Sequence, residues 1–331
     1  SSRRCNGRGG ANGGDRKTPC RYDGGRPMSF GTQENLVNAA PRKLGGKQVG
    51  ALAFGCWRLV GDDVADATRR IEAALDNGMT LIDNADVYGL DWGGQAFGES
   101  ETLLGKVLAE NKALRGRMVL ASKGSIIPGI PYVASADYLN AAVDASLARL
   151  QSDHIDLYQI HRPDMFAHPA ETAAALDALV QAGKIGMIGI SNYTQAQEDA
   201  LRRFLKAPLV SLQSEYSLAA LTMLRDGSLD RCMANETAFL AWSPLAGGRL
   251  ISGDGMRPEL MTKIDELAAR ENTDRAAIAL AFVLAHPASP IAIIGSQNTA
   301  RIEASAQALS VNLTRQDVYA LIEAAEGTPL P

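Results

Sequence analysis

Eight short apolar segments, each followed by at least one amphipathic segment, predict an α/β fold of the (β/α)8 TIM-barrel type. The chain has 331 residues, 46% of them hydrophobic, and barrels of this length commonly form one domain. The alternative, an open doubly wound sheet, requires a glycine fingerprint after its first strand. Residues 54–58 read FGCWR at that point. The strand count and the missing fingerprint therefore favour the barrel.

The first 27 residues differ from the rest of the chain. They carry seven basic and two acidic side chains and no Val, Ile, Leu, Met, Phe or Trp. Such a segment cannot bury enough apolar surface to offset its ordering entropy. We predict a disordered or tag-like leader and linker over 1–40, in which Met28 could serve as initiator, and a barrel over 41–331. The alternative, a basic arm that binds nucleic acid, lacks interleaved aromatic residues.

Strands and helices alternate from Pro41 onward. A β-hairpin is expected over 42–49, turning on two adjacent glycines. Short apolar runs predict barrel strands at 50–56, 80–84, 118–122, 154–160, 185–190, 208–214, 238–243 and 290–295. Helical periodicity predicts helices at 63–78, 98–111, 135–150, 169–182, 194–206, 221–234, 258–271, 274–286 and 299–309. An extra C-terminal helix is expected near 314–326.

Ionisable side chains stand where successive strands are predicted to end. Asp83 and Tyr88 follow the second barrel strand, Lys123 ends the third and His161 ends the fourth. Barrel enzymes place their chemistry at the carboxyl ends of strands, so these side chains should meet. A lysine charge lowers the pKa of a nearby phenol, and a carboxylate holds the lysine. This set of residues suits the protonation of a carbonyl oxygen.

The three tryptophans also follow predicted strands. Trp57 comes after the first strand, Trp92 lies in the loop after the second, and Trp242 ends the seventh. Ordinary core packing could account for any one of them. Three aromatic rings in one layer instead favour an apolar pocket with a flat ring available for stacking.

Composition excludes several classes of partner. The net charge is −4, and the acidic excess lies in the body of the chain, so no nucleic-acid surface is expected. The four cysteines have no metal-ligand spacing, the histidines are scattered, and no apolar run reaches the roughly 18 residues of a membrane span. We expect a reducing, cytoplasmic setting, a small-molecule substrate, no metal and no membrane contact, with homo-oligomerisation left open.

The strand-end motifs together resemble a known family. They are DNADVYG (83–89), SK (122–123), HRPD (161–164), GISN (189–192), Gln213, WSPLAGG (242–248) and IGS (294–296) with Arg301. Their order and spacing over about residues 41 to 327 resemble the aldo-keto reductases, and most of all the short-tailed bacterial members. The resemblance implies an NADP(H)-dependent oxidoreductase that transfers a hydride between nicotinamide and a carbonyl or alcohol substrate.

The resemblance also implies roles for the four ionisable residues. Tyr88 would be the general acid in reduction and the base in oxidation. Lys123 would lower the Tyr88 pKa, and Asp83 would pair with Lys123. His161 would orient the carbonyl or share the proton. Together with Trp57, Trp92 and Tyr132, residues Tyr88 and His161 would form an open, permissive substrate pocket, since no long loop follows the terminal helix.

A cofactor site is implied as well. Ser191, Asn192 and Gln213 would bind the nicotinamide carboxamide, and Trp242 would stack on the ring. The other expected contacts are Cys56, Trp57, Asp83, Ser243, Pro244, Leu245, Gly247, Gly295, Ser296, Arg301 and Ser305. Among these, Ser296 and Arg301 would bind the 2′-phosphate of NADPH or NADP+. Gly295 and Ser305 depart from the family pattern, which often has a basic residue and an amide there, so NADH is a weaker alternative.

Two other functions remain open. An NADP-sensing regulatory subunit would share the barrel, but the related channel-associated proteins usually carry asparagine at the position of His161. A barrel lyase would use Lys123 to form a Schiff base with its carbonyl substrate. His161 favours the catalytic reductase over the sensor.

Overall fold

The computed structural model describes residues 33–90 and 93–331. A two-stranded antiparallel hairpin precedes eight parallel strands, which close into a barrel in the order β10-β3-β4-β5-β6-β7-β8-β9. The hairpin strands are β1 Arg42–Leu44 and β2 Lys47–Val49. The barrel strands are β3 Leu52–Gly55, β4 Leu81–Asp83, β5 Val119–Gly124, β6 Ile155–Ile160, β7 Ile185–Ser191, β8 Leu209–Glu215, β9 Ala238–Trp242 and β10 Ile291–Ile294. The predicted TIM barrel with an N-terminal hairpin is confirmed.

Helices cover the outside of the barrel. They are α1 Val64–Asp76, α2 Glu99–Glu110, α3 Ala136–Leu150, α4 Pro169–Gln181, α5 Gln195–Arg202, α6 Ser228–Ala234, α7 Arg249–Ser252, α8 Pro258–Arg270, α9 Arg275–Leu284, α10 Thr299–Ser305 and α11 Arg315–Glu326. The predicted helix at 221–234 is broken, because Gly227 has φ 85° and separates a 3-10 turn from α6. Sequence periodicity missed α7, which has only four residues between two glycines with positive φ.

Inward-facing positions change character along the barrel axis. Near the amino end they are apolar and form one cluster with the hairpin residues Leu44 and Val49, which close that end. Leu157 belongs to this cluster, whereas Gln159, on the same face of β6 and nearer the carboxyl end, is a buried amide. The carboxyl end of the barrel interior is therefore a buried polar layer.

Part of the predicted linker belongs to the folded body. The Leu36 amide donates to the Leu313 carbonyl (2.8 Å), and the Asn38 amide donates to that of Leu284 (3.2 Å). The buried Arg42 guanidinium donates to the carbonyls of Pro290 and Asn38. The body thus begins before the predicted boundary at residue 41, while Met28 and the rest of 1–32 lie outside the described residues.

Two further findings concern partners. In the part of the chain that the structure describes, no helix has the length and apolar character that crossing a bilayer would require. Over the same residues, no three His, Cys, Asp or Glu side chains come together in a way that could hold a metal ion.

Candidate active site

The four ionisable residues meet at the carboxyl end of the barrel. Asp83 ends β4, Lys123 lies near the end of β5, and His161 follows β6. The Lys123 ammonium is 2.7 Å from Asp83 Oδ2 and lies 4.9 Å from the centre of the Tyr88 ring. The Tyr88 and His161 rings are 5.7 Å apart, edge to face at 82°. The structure therefore brings together the side chains that the strand ends predicted.

The ion pair is fully buried and has more partners than the sequence indicated. Lys123 also donates to the Asn84 carbonyl (2.9 Å). The other carboxylate oxygen of Asp83 accepts from Gln159 Nε2 (3.1 Å) and Gln213 Nε2 (3.0 Å). Gln159 was missed, although its place on the inward face of a strand, two residues after Leu157, could have identified it. Both charges therefore have protein partners on more than one side.

Burial and charge act in opposite directions on Tyr88. Burial raises the pKa of the phenol above its usual value, whereas the Lys123 charge lowers it, and the net direction is upward. The Lys123 effect has the predicted sign but is smaller than the effect of burial. Burial also opposes the charge on Lys123, yet Asp83 and Tyr88 raise the Lys123 pKa overall. At neutral pH the site thus holds a neutral phenol beside an ammonium.

His161 is neutral. Burial, Lys123 and then Arg162 hold the pKa of its imidazole well below the usual value. The His161 amide donates to the Gly124 carbonyl (2.8 Å), which fixes its backbone. Among the described residues, the buried Nδ1 atom has no hydrogen-bond partner. A neutral imidazole beside the phenol can donate a hydrogen bond to a substrate oxygen but holds no excess proton.

The residues expected to bind nicotinamide form one cluster. Asn192, with φ 58°, donates to Ser191 Oγ (2.8 Å) and to the His161 carbonyl (3.3 Å). Trp242 Nε1 in turn donates to Asn192 Oδ1 (3.1 Å). Gln213 lies in the same layer, with its amide nitrogen on Asp83. A half-buried indole beside three amide or hydroxyl groups suits a flat ring that carries a carboxamide.

The loop after β9 has a tightly turned backbone that is open at two glycines. Ser243 and Ala246 have positive φ angles of 49° and 51°, and Gly247 and Gly248 have 69° and 100°. A Cβ placed on either glycine would meet nothing within 4 Å. Pro244 and Leu245 complete the turn, the first buried and the second partly buried. An open backbone of this kind fits the close approach of a pyrophosphate.

The loop and helix after β10 carry an exposed arginine, Arg301. The Arg301 side chain is exposed and has no hydrogen-bond or ion-pair partner among the described residues. Its amide is capped by Asn298 Oδ1, and Ser296 Oγ accepts from the Asn298 amide. A phosphate would therefore depend on the Ser296 and Arg301 side chains. These residues fit the 2′-phosphate of NADPH, and exposed Gly295 adds no side chain.

Known proteins resemble this chain over most of its length. The family model described as "Aldo/keto reductase family" matches residues 51–326. The chain belongs to the aldo-keto reductase family. It is 47% identical over 295 residues to a 6-dehydroglucose reductase of Novosphingobium aromaticivorans, covering 88% of this chain and 97% of that one. A 6-dehydroglucose reductase of Agrobacterium fabrum is 34% identical, with coverage of 85% and 95%.

A solved structure supports the same assignment. The glycerol dehydrogenase from Gluconobacter oxydans superposes with a TM-score of 0.76 at 26% identity, over 88% of this chain and 97% of that chain. This aldo-keto reductase is accordingly an oxidoreductase on a TIM barrel.

For four residues predicted to contact cofactor or substrate, the structure gives no clear sign of such a contact. Cys56 is fully buried, and its backbone bonds to Asp83 and Ser100. Ser305 is 8% exposed and donates to the Arg301 carbonyl, so its hydroxyl is already used within α10. Tyr132 is partly exposed and pairs with Ile126 in an isolated bridge. Trp92 lies outside the described residues, while half-buried Trp57 stands at the mouth of the barrel.

Proposed function

We propose that this aldo-keto reductase is an NADP(H)-dependent carbonyl reductase in which Tyr88 is the general acid. The observation that carries the proposal is the neutral phenol held between the Lys123 ammonium and the neutral His161 imidazole. A phenol in that place can protonate a carbonyl oxygen as charge develops on it. The same residues run the reverse oxidation, with the phenolate as base.

Each residue has a separate task. Tyr88 delivers the proton, and Lys123 stabilises the phenolate that remains. Asp83 keeps Lys123 charged and in place, and Gln159 and Gln213 hold the carboxylate. His161 orients the carbonyl oxygen toward the phenol. Asn192 and Trp242 would hold the nicotinamide of NADPH, which would supply the hydride when bound.

NADPH should be preferred over NADH. A charge-assisted bond from Arg301 to the 2′-phosphate would be worth about 1.5–3 kcal/mol, or roughly tenfold to a hundredfold in affinity. The glycine at 295 places the expected ratio at the lower end. Arg301→Ala should weaken NADPH binding while hardly changing NADH binding, with a smaller difference at high salt. Equal weakening of both nucleotides would refute the NADP assignment.

A polyhydroxylated aldehyde is the proposed substrate class. Two relatives that align over nearly their full lengths are 6-dehydroglucose reductases. Beside His161, the half-buried Arg162 guanidinium has no partner among the described residues, because the Asp164 carboxylate accepts from the amides of Ala134 and Phe166 instead. A guanidinium with free N–H groups can donate to several hydroxyl oxygens.

Steady-state turnover with NADPH tests the proposal. The panel contains a hexose 6-aldehyde, simple apolar aldehydes, ketones and secondary alcohols. We expect the sugar aldehyde to be the best substrate, and Arg162→Met to raise its KM while leaving apolar aldehydes nearly unchanged. Cofactor binding without turnover would favour the regulatory subunit. Borohydride trapping of a substrate on Lys123 would favour the lyase, which the raised Lys123 pKa disfavours.

A further inference from the structure

A second polar cluster, which is partly buried, lies behind the catalytic residues, between the barrel wall and helices α2 and α3. It contains Asp86, Glu101, Tyr138, Arg149 and Tyr158. Asp86 is 1% exposed, and Glu101 and Tyr158 are completely buried. Buried ionisable groups are costly unless they are paired, so their presence calls for a reason. The proton transfer described above uses none of them.

The Tyr138 hydroxyl on α3 joins two catalytic loops. It accepts from the Ser125 amide (3.0 Å) and donates to Asp86 Oδ2 (3.1 Å). Asp86 lies two residues before Tyr88, and its amide donates to the Lys123 carbonyl (2.9 Å). One hydroxyl therefore contacts the loop of the phenol and the strand end of the ammonium.

Ser125 extends the connection to the third loop. Its hydroxyl donates to the Arg162 carbonyl (2.8 Å) and accepts from the Arg162 amide (3.0 Å), directly after His161. The φ angle of Ser125 is 115°, a conformation that favours glycine and persists only where the surroundings enforce it. The hydrogen bond from the Ser125 amide to the Tyr138 hydroxyl helps to hold this conformation.

Glycine at 124 brings the cluster close to Lys123. A Cβ at Gly124 would lie 2.2 Å from the Tyr158 hydroxyl oxygen and 3.0 Å from Asp86 Oδ2. Tyr158 and Asp86 thus converge on the residue next to Lys123. Neither the Tyr158 hydroxyl nor Asp86 Oδ1 has a hydrogen-bond partner among the described residues. The cluster is only partly satisfied, so a change in its protonation can change its bonding.

We propose that Tyr138 is a positioning residue whose hydroxyl, through Asp86 and Ser125, holds the loops of Tyr88, Lys123 and His161 in register. The inference deepens the proposed carbonyl reduction and rests on it, because it assumes that Tyr88 must meet a substrate oxygen. Tyr138 itself touches none of the reacting groups.

The charge on Asp86 should regulate this connection. Burial and the Glu101 carboxylate raise the Asp86 pKa to about 7, while Tyr138 and Arg149 oppose the shift. The groups that face Asp86 are Glu101 from α2, Tyr138 and Arg149 from α3, and Tyr158 from β6; Glu101 is itself paired with Arg149. A carboxylate accepts a stronger bond from a hydroxyl than a neutral acid does. The loops should therefore be held more firmly as the pH rises through about 7.

Tyr138→Phe tests the bridge by removing one hydroxyl. We expect kcat to fall roughly tenfold, since a small misplacement of reacting groups is costly, with NADPH affinity nearly unchanged. Amide exchange should accelerate in peptides that span 83–90 and 122–127. Tyr319→Phe, on the exposed face of α11, is the matched control and should change neither quantity. Wild-type kcat and exchange rates in Tyr138→Phe would overturn the inference.

Asp86→Asn tests the charge. The amide oxygen can still accept from Tyr138, but the side chain no longer titrates. The wild-type kcat should rise with pH through about 7, and Asp86→Asn should lack that rise. The same rise in the variant would assign the titration elsewhere and refute the role of Asp86. Absence of aldehyde turnover in the wild type would refute the proposed function, and amide exchange in Tyr138→Phe would then still decide whether the bridge orders the loops.

Discussion

Two buried aspartates lie at opposite ends of the barrel and differ in what neutralises them. Asp156, at the start of β6, is 3% exposed, and Asp83, at the end of β4, is 2% exposed. Asp156 is paired with Lys47 (2.5 Å) and Arg115 (2.8 Å), whose side chains are 48% and 26% exposed. Asp83 is paired with Lys123, which is completely buried.

The difference is the one expected between a structural carboxylate and the catalytic carboxylate proposed above. Lys47 and Arg115 reach water, so they can lose Asp156 without being left as buried charges, and Lys47 ties the hairpin to the barrel. At the carboxyl end, loss of either Asp83 or Lys123 would leave the other as an uncompensated buried charge. A buried ion pair contributes little net stability compared with apolar packing. The Asp83–Lys123 pair is therefore better explained by chemistry at the carboxyl end than by stability.

Tyr88→Phe should have the largest effect, and only on activity. Loss of general acid catalysis lowers turnover by about 10²–10⁴-fold. NADPH affinity and thermal stability should hardly change, because the hydroxyl acts on the substrate oxygen. Single-turnover rates and cofactor titration measure both quantities. A loss below about tenfold would count against Tyr88 as the acid.

Lys123→Met should affect both properties. Turnover should fall about as severely as in Tyr88→Phe, because burial raises the Tyr88 pKa and the Lys123 charge, which opposes that rise and stabilises the phenolate, would be lost. The uncompensated Asp83 should also destabilise the fold by about 3–5 kcal/mol. Denaturant unfolding and the pH dependence of kcat are the measurements. The coupling predicts a pH profile shifted to higher pH, so a profile of kcat with the wild-type midpoint would contradict it.

Asp156→Asn should change stability alone. Loss of the bonds to Lys47 and Arg115 should cost about 1–3 kcal/mol, with kcat unchanged. Burial opposes the charge, but bonds from Lys47 and the Leu120 amide hold the Asp156 pKa below its usual value. The stabilisation is therefore present above the unfolded-state pKa of about 3.9 and is lost as the pH falls through the lower folded value. An unfolding series over this range should show the two proteins converge at low pH.

Lys43→Ala is the smallest expected effect and a control for the hairpin. Lys43 pairs with Glu236 at 3.1 Å, but the two side chains are 72% and 80% exposed. Exposed ion pairs of this kind contribute little. Thermal unfolding should show no measurable change, whereas Lys47→Ala in the same hairpin should destabilise. Equal effects of the two substitutions would show that pairing with buried Asp156 stabilises the hairpin no more than pairing with exposed Glu236.

The strand order could be read directly from the chain, because each barrel strand is a short apolar run next to a helix. The strand predicted at 118–122 is observed at Val119–Gly124, and the terminal helix predicted near 314–326 is Arg315–Glu326. Helix α6 was placed too early, since the positive φ of Gly227 is a backbone property that periodicity does not register.

The sequence predicted only some of the residues of the candidate site. Asp83, Tyr88, Lys123 and His161 were visible because strand ends of a barrel converge. Gln159 was not visible, because its role depends on a contact inside the closed barrel. Its side chain points inward from β6 and donates to Asp83 on another strand. Tyr138 was missed for a related reason: its hydroxyl reaches the site from a helix, 52 positions away from Asp86 along the chain.

Residue types, their order and their places at strand ends were determined by the sequence, because strand and helix periodicity are local properties. The tertiary structure alone decided how those residues behave. Burial outweighs the Lys123 charge and raises the Tyr88 pKa, and it holds His161 neutral. The tertiary structure also gives Asp83 a buried partner, Lys123, and Asp156 an exposed one, Lys47, although the two carboxylates look alike in the chain. Desolvation depends on every neighbour that closes around a group, and those neighbours come from distant strands and helices.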